Sequence, residues 1–352
     1  MKKYLIIGDC ESPHTIKWAK ELSRYFEVYL VSSKGISPEA KDFLPDERIF
    51  TFNLRIAESG TNVKFLRMLI PLIRILRKIK PDYLNAHYIT SYGVLAALSK
   101  KLSGRQFVLI QTAWGTDILV TPFRNKFYKS ITRFALNAAN LITSDSVAVT
   151  KIVGDLTSTP TTTFPFGLQE IPEASCEIKD PNLFFSNRTL NENSNIDRVL
   201  HFFSKLRDAN KDARLVIANV GPLKSELIKL SEELGMQESV DFVGFISPDQ
   251  QNDYYRKSRF YFSILSSDAL SVSLIEAMSF GCIPLVSDLP DNRDWVTDGI
   301  NGIIMKEDTR ADTILAFQGD AQKIFISNRQ LVAERAIFPK AIEDFCQTLS
   351  TL

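Results

Sequence analysis

Short apolar runs alternate with longer amphipathic stretches along most of the chain. Apolar runs bounded by polar loops predict buried strands, whereas apolar residues that recur every three or four positions predict helices. A regular alternation of the two is typical of βα units, which assemble a parallel sheet with helices on both faces. The pattern therefore predicts an α/β protein of the doubly wound, Rossmann-like type.

The predicted elements fall into two series. In the first series, strands are expected at residues 4–7, 27–31, 48–52, 83–86, 107–112 and 141–143, and helices at 15–24, 63–80, 92–102 and 125–139. In the second series, strands are expected at 183–186, 215–219, 240–243, 260–264 and 283–286, and helices at 197–208, 224–234, 248–257 and 273–280. A final helix is expected at 339–349.

Length and a linker divide the chain into two domains. At 352 residues the chain is longer than one ordinary hydrophobic core supports. The segment 156–181 carries STPTTTFPFG and then a group of acidic residues, as a connecting segment does. We therefore expect one Rossmann-like domain over 1–167 and another over 168–337. Two such domains that face each other would leave a central cleft at the carboxyl ends of their strands, where sheets of this type bind ligands.

The two halves of the chain carry opposite charge. The net charge is only +1, but residues 1–165 hold 23 Lys and Arg against 13 Asp and Glu, and the remainder holds 19 against 28. A basic half favours an anionic surface or substrate, and on charge alone membrane headgroups and nucleic acid are both admissible.

Composition and local motifs exclude several classes of protein. The four cysteines are far apart and form no CxxC pair, which predicts neither a zinc site nor a disulfide framework and favours a cytoplasmic setting. The start MKKYLIIGDC predicts a first strand rather than a signal peptide, and no apolar run approaches the ~20 residues of a membrane-spanning helix. Any membrane contact is therefore expected to be peripheral, on the inner face. We expect no metal site, because the sequence has no DxD motif or His/Asp cluster.

The segment 267–288 (SDALSVSLIEAMSFGCIPLVSD) predicts a polar loop, a short helix and a buried strand. A helix N-terminus presents unpaired N–H groups and a partial positive charge, which suit an anion. Asp268 and Glu276 bracket this helix start, and their carboxylates are expected to bind uncharged hydroxyl groups rather than the anion. A capping box, with Ser273 as N-cap and Glu276 three residues later, is the alternative explanation for Glu276.

The stretch 267–305 closely resembles the nucleotide-sugar site of the family 4 retaining glycosyltransferases, whose GT-B fold has two Rossmann-like domains. The shared pattern is two acidic residues separated by seven others, an EAMxxG helix, a nearby proline and an NGxL-like segment. The resemblance implies that Glu276 holds the ribose hydroxyls, and that Asp268, where the family usually has Glu, lies near the hydroxyls of the donor sugar. It also implies that the diphosphate and sugar are lined by the backbone of Ala269, Leu270, Ser271, Val272 and Ser273.

Arg188 lies in the polar loop after the first strand of the second series. In the family, an Arg followed five residues later by a Lys neutralises the leaving diphosphate, so the resemblance implies a catalytic role for Arg188. Asn193 stands at the lysine position, which leaves open whether Arg198 or no residue supplies the second positive charge. A solvated loop arginine is the alternative explanation.

Gly244 and Phe245 follow a predicted strand at the point where the family has its base-recognition loop, so both are implied as donor-binding residues. A simple turn glycine is the alternative for Gly244. Asn219 opens a segment similar to the family's Gly-x-Gly-Pro, with Asn in place of the first glycine.

The resemblance also reaches into the first half. The segment PDYLNAH at 81–87 is similar to the family's PDxxHxH strand end, which implies that His87 points into the cleft as a catalytic residue near the donor sugar and the acceptor. A structural histidine is the alternative explanation for His87. Asp117, in WGTD where related enzymes carry HGxD, and His14, in the first βα loop, are implied as acceptor-side residues. The last helix, 338–352, is implied to pack back on the first domain.

The segment 63–80 (VKFLRMLIPLIRILRKIK) separates basic from apolar residues around a helix, with Pro71 predicting a kink or a fresh start. Its apolar side is expected to pack on the sheet. Its basic side is either solvated or rests on an anionic membrane surface.

These features together imply a retaining glycosyltransferase that moves a sugar from a nucleotide-diphosphate sugar, with UDP as the first candidate nucleotide, to a glycan acceptor. By analogy with bacterial polysaccharide enzymes, the acceptor is expected to be lipid-linked, for instance on a polyprenyl diphosphate. Neither a further cofactor nor a nucleic acid partner is expected. A non-catalytic nucleotide-sugar-binding or scaffold protein, and an epimerase or phosphorylase of the GT-B fold, are the alternatives.

Overall fold

The computed structural model describes residues 1–54, 63–317 and 321–352, and the chain forms two compact units. Unit 1 comprises Met1–Pro165 together with Pro339–Leu352, and unit 2 comprises Phe166–Phe338. Each unit has its own parallel sheet covered by helices.

Unit 1 has, within the described residues, a seven-stranded sheet in the order β3-β2-β1-β4-β5-β6-β7. Its strands are β1 (Lys3–Gly8), β2 (Glu27–Ser32), β3 (Ile49–Thr51), β4 (Tyr83–His87), β5 (Val108–Ala113), β6 (Leu141–Ser144) and β7 (Thr161–Thr163). Its helices before the linker are α1 (Pro13–Leu22), α2 (Leu69–Ile79), α3 (Val94–Ser103), α4 (Thr116–Leu119), α5 (Lys126–Ala138) and α6 (Val147–Leu156).

Unit 2 has, over its described part, a six-stranded sheet in the order β10-β9-β8-β11-β12-β13. Its strands are β8 (Asp180–Ser186), β9 (Arg214–Ala218), β10 (Val240–Gly244), β11 (Ser258–Ser263), β12 (Ile283–Ser287) and β13 (Ile303–Met305). Its helices are α7 (Ile196–Ala209), α8 (Lys224–Glu233), α9 (Pro248–Lys257), α10 (Val272–Ser279), α11 (Pro290–Arg293), α12 (Ala311–Ala316) and α13 (Ala321–Arg335), after which α14 (Phe338–Ser350) returns the chain to unit 1.

The strands are apolar on both faces because helices cover the sheet on both sides. In β8, the neighbouring side chains Phe184 and Phe185 enter different core clusters. Phe184 stacks on Phe260 with ring centroids 4.6 Å apart, whereas Phe185 packs against Tyr254 at 5.2 Å. The two cores fix the sheet and leave its carboxyl edge to the polar loops.

The strand order reverses between β1 and β4 in unit 1 and between β8 and β11 in unit 2. Ligands of doubly wound sheets bind at such switch points, outside the carboxyl ends of the strands. His14 and His87 belong to the switch point of unit 1, and Arg188 and Asp268 to that of unit 2.

The doubly wound α/β architecture predicted from the sequence is confirmed. The patterns miss β7, β13, α4, α6, α11, α12 and α13. The two strands are only three residues long, α4 and α11 are only four residues long, and the other helices have a weak apolar stripe or lie between better-marked elements. The helix predicted over 63–80 begins as a 3-10 turn at Val63–Met68, and α2 then starts at Leu69 with Pro71 in its first turn, where the absent N–H costs no hydrogen bond. The side chains of Val63 and Lys64 and the whole of 55–62 lie outside the described residues.

Candidate functional site

Arg188 is the centre of the polar contacts at the carboxyl edge of unit 2. Its Nη1 donates to the hydroxyl oxygens of Ser271 at 3.0 Å and Ser273 at 2.5 Å, and its Nη2 forms an ion pair with the Asp268 carboxylate at 3.0 Å. The side chains of Arg188 and Asp268 are only 18% and 25% exposed. The fold thus brings together residues that are about eighty positions apart in the chain.

Helix α10 begins at this cluster. Ser271 is its N-cap, and the Ser271 Oγ accepts from the Leu274 N–H at 3.3 Å. Ser273 is therefore inside the helix, and the alternative capping box with Ser273 as N-cap is wrong. Because the helix N-terminus adds a partial positive charge next to the Arg188 guanidinium, this edge is suited to a phosphate or diphosphate.

Glu276 lies one turn further into α10 and is held by side chains of α9. Its Oε2 accepts from Gln251 Nε2 at 3.0 Å and from the Tyr255 hydroxyl at 3.2 Å. Asn187 donates to Gln251 Oε1 at 2.9 Å and to the Tyr255 hydroxyl oxygen at 2.8 Å, and accepts from the Tyr261 hydroxyl at 2.8 Å. This network fixes the Glu276 carboxylate in one orientation.

Sequence patterns do not identify the four supporting residues of this network. Gln251 and Tyr255 stand on a polar helix with no motif, and Tyr261 lies within an apolar strand. A usable signal existed only for Asn187, because it directly follows β8 at the switch point, where polar side chains meet ligands.

Burial and ion pairing together set the charges of the cluster. Burial raises the pKa of Asp268, and the Arg188 guanidinium offsets part of that rise. Burial acts to lower the pKa of Arg188, but Tyr261 and Asp268 more than offset it, so that the pKa is raised and the guanidinium stays charged. Burial also raises the pKa of Tyr255 and Tyr261, which therefore remain neutral hydrogen-bonding groups.

Asn193, at the position where the family resemblance predicts a lysine, ties two loops together. Its Nδ2 donates to the Ser267 carbonyl at 3.0 Å, and its Oδ1 accepts from the Ser267 N–H at 3.1 Å. The Asn193 carbonyl also accepts from the Ser266 N–H at 2.9 Å. Asn193 thus holds the loop that carries Asp268, while Arg198 is exposed on α7.

Replacing Asn193 by alanine is expected to raise the KM for a nucleotide-sugar donor by about fivefold to tenfold, because each lost hydrogen bond contributes ~1 kcal/mol and the loop with Asp268 loosens. Asn193→Lys is expected to behave like the alanine variant, since lysine cannot accept from the Ser267 N–H. Steady-state kinetics check this, with Asn210→Ala as the control, because Asn210 bonds to Asn182 at 2.8 Å in another loop. A gain in kcat for Asn193→Lys would contradict the clamping role.

Gly244 and Phe245 form the end of β10. Gly244 has φ 74°, a left-handed conformation that favours glycine, so the turn-glycine alternative is sufficient to explain this residue. Phe245 is 79% exposed. Asn219 donates its N–H to the Gly244 carbonyl at 2.6 Å and has φ 91°, a backbone conformation that favours the glycine implied here by the family resemblance.

His87 ends β4 in unit 1 and is buried, with only 1% of its side chain exposed. Its Nδ1 lies 3.4 Å from Thr15 Oγ1, and its Nε2 lies 3.3 Å from Asn85 Oδ1. The ring packs against Trp18 and Trp114 at centroid distances of 5.5 and 5.4 Å. His87 therefore lies behind the surface of unit 1, not on it.

The exposed part of this edge is formed by His14, whose ring lies 5.4 Å from that of the half-buried Trp114. Partial burial, and then Lys17, lower the pKa of His14. Asp117 is buried beneath this region, and its carboxylate accepts from the Trp114 N–H at 3.0 Å and the Ile89 N–H at 2.8 Å. Burial raises the pKa of Asp117 to about 6, against the effect of these backbone bonds.

The buried imidazole predicts a loss of stability in mild acid. Burial, and then the nearby His14, lower the pKa of His87 to about 3 from an ordinary 6.5. Below pH 6.5 the unfolded chain binds a proton that the folded His87 does not, which lowers the free energy of unfolding by ~2 kcal/mol at pH 5. Asp117, whose pKa is raised to about 6, takes up a proton in the folded chain over the same range and offsets ~1 kcal/mol of this loss. Urea-induced unfolding at pH 7 and at pH 5, followed by a spectroscopic signal from unit 1, measures this difference in the free energy of unfolding. His87→Gln is expected to remove the loss at pH 5 and to leave only the opposite effect of Asp117, and an equal pH dependence in both proteins would contradict the role of His87.

Over residues 1–54, 63–317 and 321–352, no group of three or more His, Cys, Asp or Glu side chains is placed to hold a metal ion. Within the same described residues, no helix has the length and apolar character needed to span a membrane.

Two Rossmann-like parallel sheets with polar clusters at their switch points define the GT-B class of fold. The crystal structure of Anabaena HepE in complex with UDP has this fold, with a TM-score of 0.78 over 100% of both chains at 14% sequence identity. At that identity the likeness concerns the fold alone.

Two family profiles match the chain, and each falls on one unit. The profile described as "Glycosyl transferase 4-like" matches residues 3–146, and the one described as "Glycosyl transferases group 1" matches residues 169–316. The chain belongs to the family 4 glycosyltransferases of the GT-B fold.

Two relatives match a shorter stretch. Alpha-monoglucosyldiacylglycerol synthase of Streptococcus pneumoniae is 26% identical over 110 residues, which are 31% of this chain and 25% of the relative. GDP-mannose:cellobiosyl-diphosphopolyprenol alpha-mannosyltransferase of Xanthomonas oryzae is 27% identical over 109 residues, 30% of this chain and 29% of the relative. The matched stretch spans less than a third of either relative.

Proposed function

We propose that this chain is a retaining glycosyltransferase that moves a sugar from a nucleotide-diphosphate sugar to a glycan acceptor. The cluster at the start of α10 carries the proposal, because Arg188 and Asp268 meet the helix N-terminus there and Glu276 follows one turn later. A fixed cation and a helix start suit a diphosphate, and ionised carboxylates accept bonds from hydroxyl groups. This small region offers a partner for the diphosphate, the ribose and the sugar of the donor.

Each candidate residue has a separate task in this proposal. Arg188 and the first turn of α10 hold the diphosphate, and Glu276 binds the ribose hydroxyls. Asp268 binds hydroxyls of the donor sugar, while Gly244 and Phe245 lie beside the base, with the exposed Phe245 ring available for stacking. Because Arg188 is paired with Asp268, donor binding requires the guanidinium to share its hydrogen bonds between the carboxylate and the diphosphate.

Transfer breaks the bond between the anomeric carbon of the sugar and the diphosphate oxygen, and joins that carbon to an acceptor hydroxyl oxygen. We propose that the acceptor attacks from the face that the diphosphate leaves, which retains the configuration, and that the hydroxyl proton passes to the departing phosphate oxygen. Arg188 stabilises the negative charge that develops on the leaving diphosphate.

Unit 1 is the proposed acceptor unit, with His14 on its surface and His87 and Asp117 as the buried residues that position this region. A lipid-linked glycan, carried for instance by a polyprenyl diphosphate, is the proposed acceptor, in surface polysaccharide or glycoconjugate synthesis on the cytoplasmic face of a membrane. Support comes from the names of the two relatives, which include diacylglycerol and diphosphopolyprenol. UDP is the proposed nucleotide, as in the HepE complex.

An anionic membrane surface is part of the proposed setting. Arg74, Arg77 and Lys78 are exposed on α2, while Leu72 and Leu76 on its other side are buried, as the pattern of 63–80 predicts. Each such charge near an anionic surface contributes about 1 kcal/mol to binding.

A transfer assay with UDP- and GDP-sugars and with soluble and polyprenyl-diphosphate-linked acceptors tests the function. We expect a glycosylated acceptor by mass spectrometry, with the anomeric configuration of the donor by proton NMR. Donor binding without transfer to any acceptor would favour the non-catalytic alternative. Epimerised or hydrolysed donor in the absence of acceptor would favour the epimerase or phosphorylase alternative.

A further inference from the structure

One face of unit 1 carries almost all of its excess positive charge. Residues 63–144 contain 13 Lys and Arg against two acidic residues, of which Asp117 is buried. The helices of this stretch lie side by side, since α3 contacts α2 on one side and α5 on the other. Three neighbouring helices therefore cover the same face of the sheet, and their outer surfaces are basic.

Large apolar side chains are exposed at the start of α5, on this same face. Phe123 is 60% exposed and Phe127 is 66% exposed, and Val120 and Phe134 are also exposed. The inner side of α5 is already occupied by packing, because Thr132, Ala135 and Leu136 are buried. The exposed phenylalanines therefore do not contribute to the hydrophobic core, and large apolar side chains in such a position indicate a binding surface.

Cations alternate with these apolar residues. Arg124, Lys126, Lys129 and Arg133 are all exposed, and no acidic residue lies between Asp117 and Asp145. We name as the aromatic-basic face the exposed residues Val120, Phe123, Arg124, Lys126, Phe127, Lys129, Arg133 and Phe134. Beyond α3, Leu66 and Arg67 are exposed in the 3-10 turn Val63–Met68 and Ile70 is exposed at the start of α2, which extends the same chemistry across this side of unit 1.

We propose that the aromatic-basic face docks on an anionic lipid bilayer, with Phe123 and Phe127 inserted into the interfacial region. Exposed aromatic rings among cations match a bilayer interface, where rings enter the headgroup level and cations meet anionic headgroups. A nucleic acid duplex would use the cations but would leave the apolar area of Phe123, Phe127 and Phe134 without a matching surface, because its bases are already stacked on one another.

The position of this face relates it to acceptor binding. Because α5 runs back along the sheet after β5, its first turn lies at the carboxyl edge of unit 1, the edge that carries His14 and Trp114. A bilayer docked there would bring a lipid-linked acceptor close to these residues. The docking surface deepens the membrane setting of the proposed function, and it rests on that function for the lipid-linked acceptor.

Vesicle flotation tests the proposal without donor or acceptor, with phosphatidylcholine vesicles that contain or lack phosphatidylglycerol. The wild-type protein is expected to float only with the anionic vesicles. The Phe123→Ser/Phe127→Ser variant is expected to partition at least about tenfold more weakly, since two exposed rings lose their contact with the bilayer. Ile326→Ser is the matched control, because Ile326 is 54% exposed on α13 of unit 2, and it is expected to float like the wild type.

Two further variants separate the contribution of the cations from that of ring insertion into the bilayer. Lys126→Glu/Lys129→Glu/Arg133→Glu is expected to weaken flotation at least about tenfold, whereas Phe127→Trp is expected to float and to be quenched by brominated lipid. Unchanged flotation of the double serine variant, or no quenching of the tryptophan, would overturn the proposal, because the cations alone would then account for binding. UDP affinity of the double serine variant, expected to be unchanged, keeps this outcome distinct from a failure of the proposed function.

Discussion

Arg188→Ala is expected to lower the kcat of sugar transfer by about a hundredfold to a thousandfold, the usual cost of removing one preorganised group that stabilises developing negative charge. The variant removes the positive charge beside the start of α10 and leaves the Asp268 carboxylate, which is 25% exposed, without its ion-pair partner. Arg188→Lys is expected to recover only part of the rate, since lysine keeps the charge but cannot reach the two serines and the aspartate with one planar fork.

Single-turnover kinetics at saturating donor measure this effect on the chemical step. Arg310→Ala is the matched control, because Arg310 also pairs with an aspartate, Asp312, at 2.7 Å, but its side chain is 77% exposed. The control is expected to stay within about twofold of the wild type, since exposed ion pairs contribute little. If Arg188→Ala retained a rate similar to that of Arg310→Ala, Arg188 would be only a structural partner of Asp268.

Glu276→Gln is expected to raise the KM for the donor by about tenfold to a hundredfold, because a charged acceptor of hydroxyl bonds is worth ~1.5–3 kcal/mol. The substitution keeps the size of the side chain, and a glutamine oxygen can still accept from Gln251 and Tyr255. The melting temperature is therefore expected to change by less than about 3 °C.

The affinity for free UDP and the KM of the UDP-sugar together check this prediction. Glu233→Gln is the control, since Glu233 is an exposed carboxylate on α8 that pairs with Lys229 at 3.4 Å. A Glu276→Gln variant with unchanged UDP affinity and unchanged KM would mean that the carboxylate only orders α9 against α10.

The parts of the site that the sequence could predict are those encoded locally. Asp268 and Glu276 lie within one loop and one helix, so their spacing alone places them on either side of a helix start. Arg188 is also predictable, because β8 and β11 are neighbours at the switch point and their following loops must meet. The family profiles agree with the resemblance on which these assignments rest.

The parts of the candidate site that the sequence does not predict depend on how elements distant in the chain pack together. Whether Asn193 replaces a phosphate-binding lysine or clamps a loop depends on its two bonds to Ser267, which no local pattern encodes. The burial of His87 depends on Trp18 and Trp114, which come from other βα units.

The local pattern does not decide which serine is the N-cap of α10, and the alternative that places the cap at Ser273 is wrong. Ser271 and Ser273 can both serve as caps, and the three-residue spacing of Ser273 to Glu276 fits a capping box equally well. In the structure, Ser271 has extended backbone and caps the helix, and Ser273 is left to bind Arg188.

The sequence does not predict the aromatic-basic face, for a different reason. The amphipathic pattern over 125–139 predicts α5, but periodicity alone does not tell which phenylalanine side chains remain outside once Ala135 and Leu136 have filled the inner side. Only the exposure of Phe123 and Phe127 in the folded unit identifies the surface.

Isothermal titration calorimetry of the whole chain with a panel of nucleoside diphosphates is the most direct test of the central claim, that the start of α10 holds a nucleotide diphosphate. We expect one nucleotide, UDP first, to bind with a Kd between about 1 and 100 μM, and to bind at least about tenfold more weakly to both Arg188→Ala and Glu276→Gln. Arg310→Ala is expected to match the wild type. The claim would be contradicted if no nucleoside diphosphate bound, or if one bound with the same Kd to the wild type and to both site variants.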